Sequence, residues 1–169
     1  HVADQARLEW LPLEAIAYND CEGTNRAVFN LAAGAELITW DVTALGLPTS
    51  DQAFKQGHFQ QHLEIPGVWL ERGNIQGTDA RWLNSPLGLA GQKCLANLVF
   101  ACGSPIAAER AERVLEAARL VIEAHPLKLQ AGITCAHPQV IVLRVMSPLV
   151  EPTMDLLKQV WATWRHTLW

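Results

Sequence analysis

Charge is scarce in this chain. Acidic and basic residues make up 18% of its 169 positions, and the formal net charge is -4. No lysine or arginine run occurs, so a phosphate-reading surface for nucleic acid is not expected. Long apolar runs are missing too. Arg144, Glu151 and Asp155 interrupt the greasiest region, which leaves no window for a membrane helix. The cysteines number four, Cys21, Cys94, Cys102 and Cys135, and none forms a CxxC pair. Their long, irregular gaps read as reduced thiols of a cytoplasmic protein, some buried as small apolar residues, rather than as a zinc site or a disulfide scaffold. GxGxxG, GxxxxGKS/T, GxSxG and HExxH are all absent. So are a signal peptide, an internal repeat and a low-complexity segment. The chain starts at His1, not methionine, already inside a polar-apolar pattern. That reads as the later part of a longer protein.

What is present is core material. Half of the residues are hydrophobic, which suits one domain or part of a larger one. Residues 1–103 read as short strands joined by turns, and residues 104–169 as a helix-strand-helix tail packed on them. In the span Glu36 to Ala44, Ile38, Trp40, Val42 and Ala44 fall on one side. Leu37, Thr39, Asp41 and Thr43 fall on the other. Trp40 therefore belongs to an apolar face, and Asp41 shares its face with two threonines. Thr49 to Gln56 is polar and loop-like. Phe59 to Ile65 and Val68 to Arg72 read as a hairpin around the Pro66-Gly67 turn. The glycine-, asparagine- and serine-rich stretch from Glu71 to Gln92 reads mostly as loop. Leu95 to Cys102 reads as an apolar strand buried on both faces.

Then the period changes. Ser104-Pro105 predicts a capped helix start. Ala111, Val114, Leu115, Ala118, Val121 and Ile122 form its apolar stripe, and His125-Pro126 ends it. Glu109 with Arg113, and Arg119 with Glu123, are spaced to pair on its wet side. Val140 to Met146 is a further strand. A last helix runs from about Pro152 to Leu168, with Leu157, Val160, Trp161, Trp164 and Leu168 along one face. This layout lacks the βαβαβ alternation of a doubly wound nucleotide-binding fold.

For metal chemistry the string GHFQQHLE stands out. His58 and His62 are about 13 Å apart along a strand, too far to share an ion, whereas His62 and Glu64, about 7 Å apart, could. Two ligands alone make at most a weak divalent contact, and a solvated strand face is the simpler reading. A carboxylate pair for acid–base work would need Glu9, Asp41, Glu64 or Glu71 to converge, and no nucleophile stands beside a base. An enzyme is not expected. Trp161, Trp164 and Arg165 read either as core packing or as a partner-binding face, since Trp and Arg are over-represented at interface hot spots.

Several strings resemble one family. RLEWLPLEAIAY, ELITWDVTALGLP, WLERG and NSPLGLAG, followed by the tail, resemble the urease accessory protein family UreD, called UreH in some organisms. The pairing of LEWLPxExI with W(D/E)xxxLG about thirty residues later is specific, and Glu9, Trp10 and Asp41 lie within it. The resemblance covers the whole chain and corresponds to the carboxyl-terminal part of the family, whose glycine-rich GGxxxGD segment lies further upstream. It implies a mainly β fold: stacked, β-helix-like sheets of short strands with two carboxyl-terminal helices. It also implies a non-enzymatic role, in which the protein joins UreF and the GTPase UreG to apo-urease and helps deliver nickel. No cofactor is then tightly bound; nickel is in transit through an internal polar passage. Asp41 with Thr39 and Thr43 is the first candidate to line that passage, with Glu9 and Glu71 next. Leu47 and Gln52 depart from the family pattern, which commonly carries arginine and glutamate there. A small-ligand or carbohydrate-binding β domain, with Trp10, Trp40 or Trp69 as stacking platforms, is one rival reading. A hydrolase with two converging acids is another.

Overall fold

The computed structural model describes residues 1–169. The strands are β1 (Arg7–Trp10), β2 (Ala15–Ala17), β3 (Glu22–Val28), β4 (Glu36–Leu47), β5 (Gln52–Ala53), β6 (His58–Ile65), β7 (Trp69–Gln76), β8 (Cys94–Cys102), β9 (Ala131–His137) and β10 (Val140–Ser147). The α-helices are α1 (Ala80–Asn84), α2 (Ala108–Ala124) and α3 (Val150–Leu168).

Alternation in the sequence splits these strands into two sheets with a shared interior. The larger sheet has the order β1-β4-β8-β10-β9, with β2 and β5 also paired to β4; the smaller has the order β3-β6-β7. The chain enters the large sheet at β1 and β2, crosses to the small sheet at β3, returns at β4 and β5, and crosses again at β6. Each return lands parallel to the strand of the previous turn: β1 and β2 on β4, β3 on β6. This winding is the β-helix-like stacking that the family resemblance implies. An antiparallel half, β4-β8-β10-β9, closes it.

β1 and β2 are one broken strand. Pro12 lacks the N–H a ladder needs. Two β4 side chains bridge the break: Thr39 Oγ1 donates to the Trp10 carbonyl at 2.8 Å, and Trp40 Nε1 donates to the Pro12 carbonyl at 2.8 Å.

α2 and α3 cover one face of the large sheet. Ile38, Trp40 and Val42 of β4 and Leu98 and Phe100 of β8 meet Val114 and Ala118 of α2 and Leu157, Val160 and Trp164 of α3. The other face meets the small sheet through two separate apolar clusters. One holds Phe29, Leu37, Leu63, Ile65, Val99 and Val142; the other holds Ala17, Leu45, Phe54, Phe59, Ile75 and Leu83.

Pro66-Gly67 does make the β6–β7 turn. Gly67 has φ +73°, and Val68 N–H bonds the Ile65 carbonyl at 2.9 Å. At Gly103 the reason for glycine is space, because an added Cβ would sit 1.6 Å from the Ala32 carbonyl oxygen.

Other expectations need correction. Ser104 caps no helix: α2 begins at Ala108 with Ala107 at its N-cap, and Ser104 Oγ donates instead to the Ala33 carbonyl, tying the β8 exit to the loop before β4. The tail holds two strands, not one. β9 escapes notice because it is an edge strand, mostly exposed, with no apolar run to mark it. β7 continues through Gly73 to Gln76, and α1 follows inside the stretch read as loop. Arg119 pairs with Glu112 and Glu116 rather than with Glu123, which binds Lys128.

Candidate functional site

Between the two apolar clusters the inter-sheet space turns polar, and register explains why. In the large sheet Asp41 of β4, Asn97 of β8, Arg144 of β10 and Gly132 of β9 are aligned partners in one row. Residues aligned across strands point to the same side. Facing them, β6 contributes Gln61, whose aligned partner on β7 is Gly73. One step to either side of Asp41 stand Thr39 and Thr43, both fully buried.

Asp41 is the buried end of this row and only 5% exposed. Asn97 Nδ2 lies 3.3 and 3.5 Å from its two carboxylate oxygens. Asn97 Oδ1 in turn accepts from Arg144 Nε at 3.2 Å, and the Arg144 guanidinium pairs with Glu71 at the open end. Burial pushes the Asp41 carboxyl up to about 6. The Asn97 amide, Gln61 and the Arg144 charge pull it down, and Glu71 adds to the rise. Two buried oxygens beside it, Thr43 Oγ1 and Gln61 Oε1, have no hydrogen-bond partner in the protein. Unpaired buried polar atoms are costly, and water or an oxygen-liking ion is their usual partner. The donor set is carboxylate, amide and hydroxyl, without thiol or imidazole. Such hard oxygen donors hold a hydrated divalent cation loosely. No group of three His, Cys, Asp or Glu side chains is placed to grip a metal anywhere in the chain.

The other sequence candidates are dispersed. Glu9 is remote from Asp41: it accepts from Trp161 Nε1 at 2.8 Å and lies 3.3 Å from Arg165 Nε, tying β1 to α3. Trp10 is 52% exposed on β1. Trp40 is buried under the helices, edge-on to Trp161 at 6.4 Å, and Trp69 is half-buried on the small sheet. The three tryptophans named as stacking platforms therefore share no groove. His62 and Glu64 do touch, at 2.8 Å, on the outer face of β6. His62 aligns with Arg26 on one side and Arg72 on the other, and Arg26 reaches Glu64 at 3.8 Å. Two guanidinium groups flanking two ligands disfavour a cation there. Trp164 is fully buried, its Nε1 donating to the Val114 carbonyl at 3.0 Å. It is a core residue, not part of an outer face; Trp161 is half-buried and Arg165 exposed.

Sequence reasoning reached Asp41, Thr39, Thr43 and Glu71 but passed over Asn97, Gln61 and Arg144. Asn97 lay inside a run read as wholly apolar, and a lone amide in such a strand was the available signal. Leu47 and Gln52, the positions that depart from the family pattern, are aligned partners across β4 and β5.

The model of the UreD urease accessory protein family matches residues 1–169. The chain belongs to the UreD family. It is 57% identical over 164 residues to the urease accessory protein UreD of Albidiferax ferrireducens, covering 97% of this chain and 59% of that one. Against the UreD proteins of Paracidovorax citrulli and Variovorax paradoxus it is 54% identical over 168 residues, covering 99% of this chain and 61% of each. The chain thus spans about 60% of the length of these UreD relatives. No helix of this UreD-family chain is long and apolar enough to cross a membrane.

Proposed function

We propose that this chain is part of a cytoplasmic urease maturation factor that works without catalysing a reaction. It joins UreF and, through UreF, the GTPase UreG to apo-urease, and nickel passes along the polar row at Asp41 on its way to the urease active site. Family membership supports the maturation role. The observation that carries the nickel reading is a buried carboxylate among oxygen donors, two of them without a protein partner. An ion in transit needs weak, exchangeable contacts, and a site with thiolate or imidazole ligands would trap it. Thr43 and Gln61 would share the ion's hydration shell with Asp41. Glu9, in this reading, is a strut between β1 and α3. Contact with UreF falls to Trp161 and Arg165, with Trp164 supporting them from the core.

The test is Asp41→Ala in the full-length protein. Co-purification with UreF, UreG and apo-urease should persist, while the nickel content and activity of the urease fall at least tenfold. Normal nickel loading by that variant would remove Asp41 from the path.

A further inference from the structure

We propose that Arg144 is the gate of the polar row, set in a mouth between the edge of β7 and the β10–β9 end of the large sheet. Its role in admitting cargo rests on the nickel reading above; the mouth itself does not.

The row Asp41–Asn97–Arg144–Gly132 runs from a buried end to an exposed edge. Asp41 is closed off, whereas the Arg144 side chain is 57% exposed. Glu71, on the opposite sheet, holds the guanidinium from the other side. Arg144 thus lies across the way in, fastened at Nε to Asn97 and at its tip to Glu71.

The walls around it are bare. Gly132 is the aligned neighbour of Arg144 on β9, and Gly73 is the aligned neighbour of Gln61 on β7. A Cβ added at either glycine would meet no atom within 4 Å, and neither residue has a positive φ. Backbone conformation therefore does not call for glycine at these two positions. What they do is leave open space, Gly132 beside Arg144 and Gly73 on the facing sheet beside Gln61.

Charge gives the gate its sign. With Arg144 in place, Asp41 and Glu71 share one positive charge. With the guanidinium swung into solvent, the mouth and row carry two carboxylates, the complement of a divalent cation. An exposed ion pair is weak and exchanges readily. A hydrated cation arriving at Glu71 can displace the guanidinium, and an anion gains nothing by doing so.

The mouth can be tested without nickel, using a cysteine at position 41 as reporter. The full-length protein would carry Asp41→Cys on a background of Cys21→Ser and Cys135→Ser, which removes the two cysteines of residues 1–169 that are not buried, with any cysteine elsewhere in the full-length protein also changed to Ser. The probe is 2-aminoethyl methanethiosulfonate, a small cationic thiol reagent. Arg144→Ala should speed labelling of Cys at position 41 at least tenfold. Adding Gly132→Val or Gly73→Val, both strand-compatible, should reverse that gain. A labelling rate indifferent to residue 144, or to both glycine substitutions, would overturn the gate and mean that the row is reached by another route. Thr43→Cys serves as reporter if the variant at 41 does not fold, with the same expected and overturning outcomes. The two readings fail separately. Normal nickel loading with Asp41→Ala sinks the nickel path and leaves the mouth, whereas Arg144-independent labelling sinks the mouth and leaves the nickel path.

Discussion

At Asp41 the fold pays to keep a charge where its own packing disfavours one. The carboxyl titrates near 6 instead of its ordinary 3.8, with burial as the main cause. The sign follows from linkage. The native state binds the proton more tightly than the unfolded chain, so this group's contribution is most favourable below about pH 4. It declines as pH rises from 3.8 to about 6 and is flat above that. A shift of this size is a cost on the order of 3 kcal/mol at pH 7. Asp41→Asn should therefore melt higher than the parent at pH 7, with the gap closing near pH 4, and should fail to support urease activation. Melting curves at both pH values check this, and a gap independent of pH would mean that ionisation is not the source. The face that Asp41 occupies was legible from alternation alone. Its partner Asn97 was not, since it lies on β8, brought alongside only by the sheet register. No local pattern marks a pairing across that sequence separation.

Among the elements, α3 shows how one stripe of side chains divides into different duties. Helical spacing put Trp161 and Trp164 on one face, and only packing separates them. Trp164 fills the space against Phe100 and Val114 and is fully enclosed. Trp164→Ala should cost about 3–5 kcal/mol in stability, visible in denaturant unfolding, with loss of soluble protein rather than selective loss of UreF. Arg165→Ala, at an exposed ion pair, should change stability by less than about 1 kcal/mol; weakened UreF co-purification with an unchanged melt would then mark the partner face. The end of α3 is fastened separately. Trp169 Nε1 donates to Glu36 at 2.6 Å, and Arg110 and Arg7 converge on the same carboxylate. Burial pushes Glu36 up, but the hydrogen bonds from Arg110 and Trp169 and the two arginine charges together hold it below its ordinary value. Trp169→Ala should lower stability by about 1–2 kcal/mol, measurable in the same unfolding experiment. The helices and the long strands were readable because their periods are strong. β9 was not, because an exposed edge strand needs no apolar pattern to pair, and Ser104 misled because its hydroxyl donates to the Ala33 carbonyl instead of accepting from a helix N–H.

In the whole molecule, three layers stack: two helices, a large sheet and a small sheet. The sequence could mark the strands of these sheets but not the order in which they stack, because parallel neighbours are joined by crossings between sheets rather than by tight turns. Those parallel pairings, β1 and β2 on β4 and β3 on β6, have a consequence for tolerance to insertion. One extra residue at the start of β4, unless absorbed as a bulge, would send Asp41 to the helix side and Trp40 to the sheet interior, and should be strongly destabilising. The same residue added between Thr49 and Asp51 disturbs only the short exposed 3-10 turn Pro48–Ser50, and its loop-closure cost is well under 1 kcal/mol. A full additional circuit of chain, inserted in step between two turns, would give β4 and β6 new parallel neighbours but leave every strand with the same face toward the interior. The winding thus fixes the phase of each turn but not their number, and length in such a protein can change by whole turns where it cannot change by one residue.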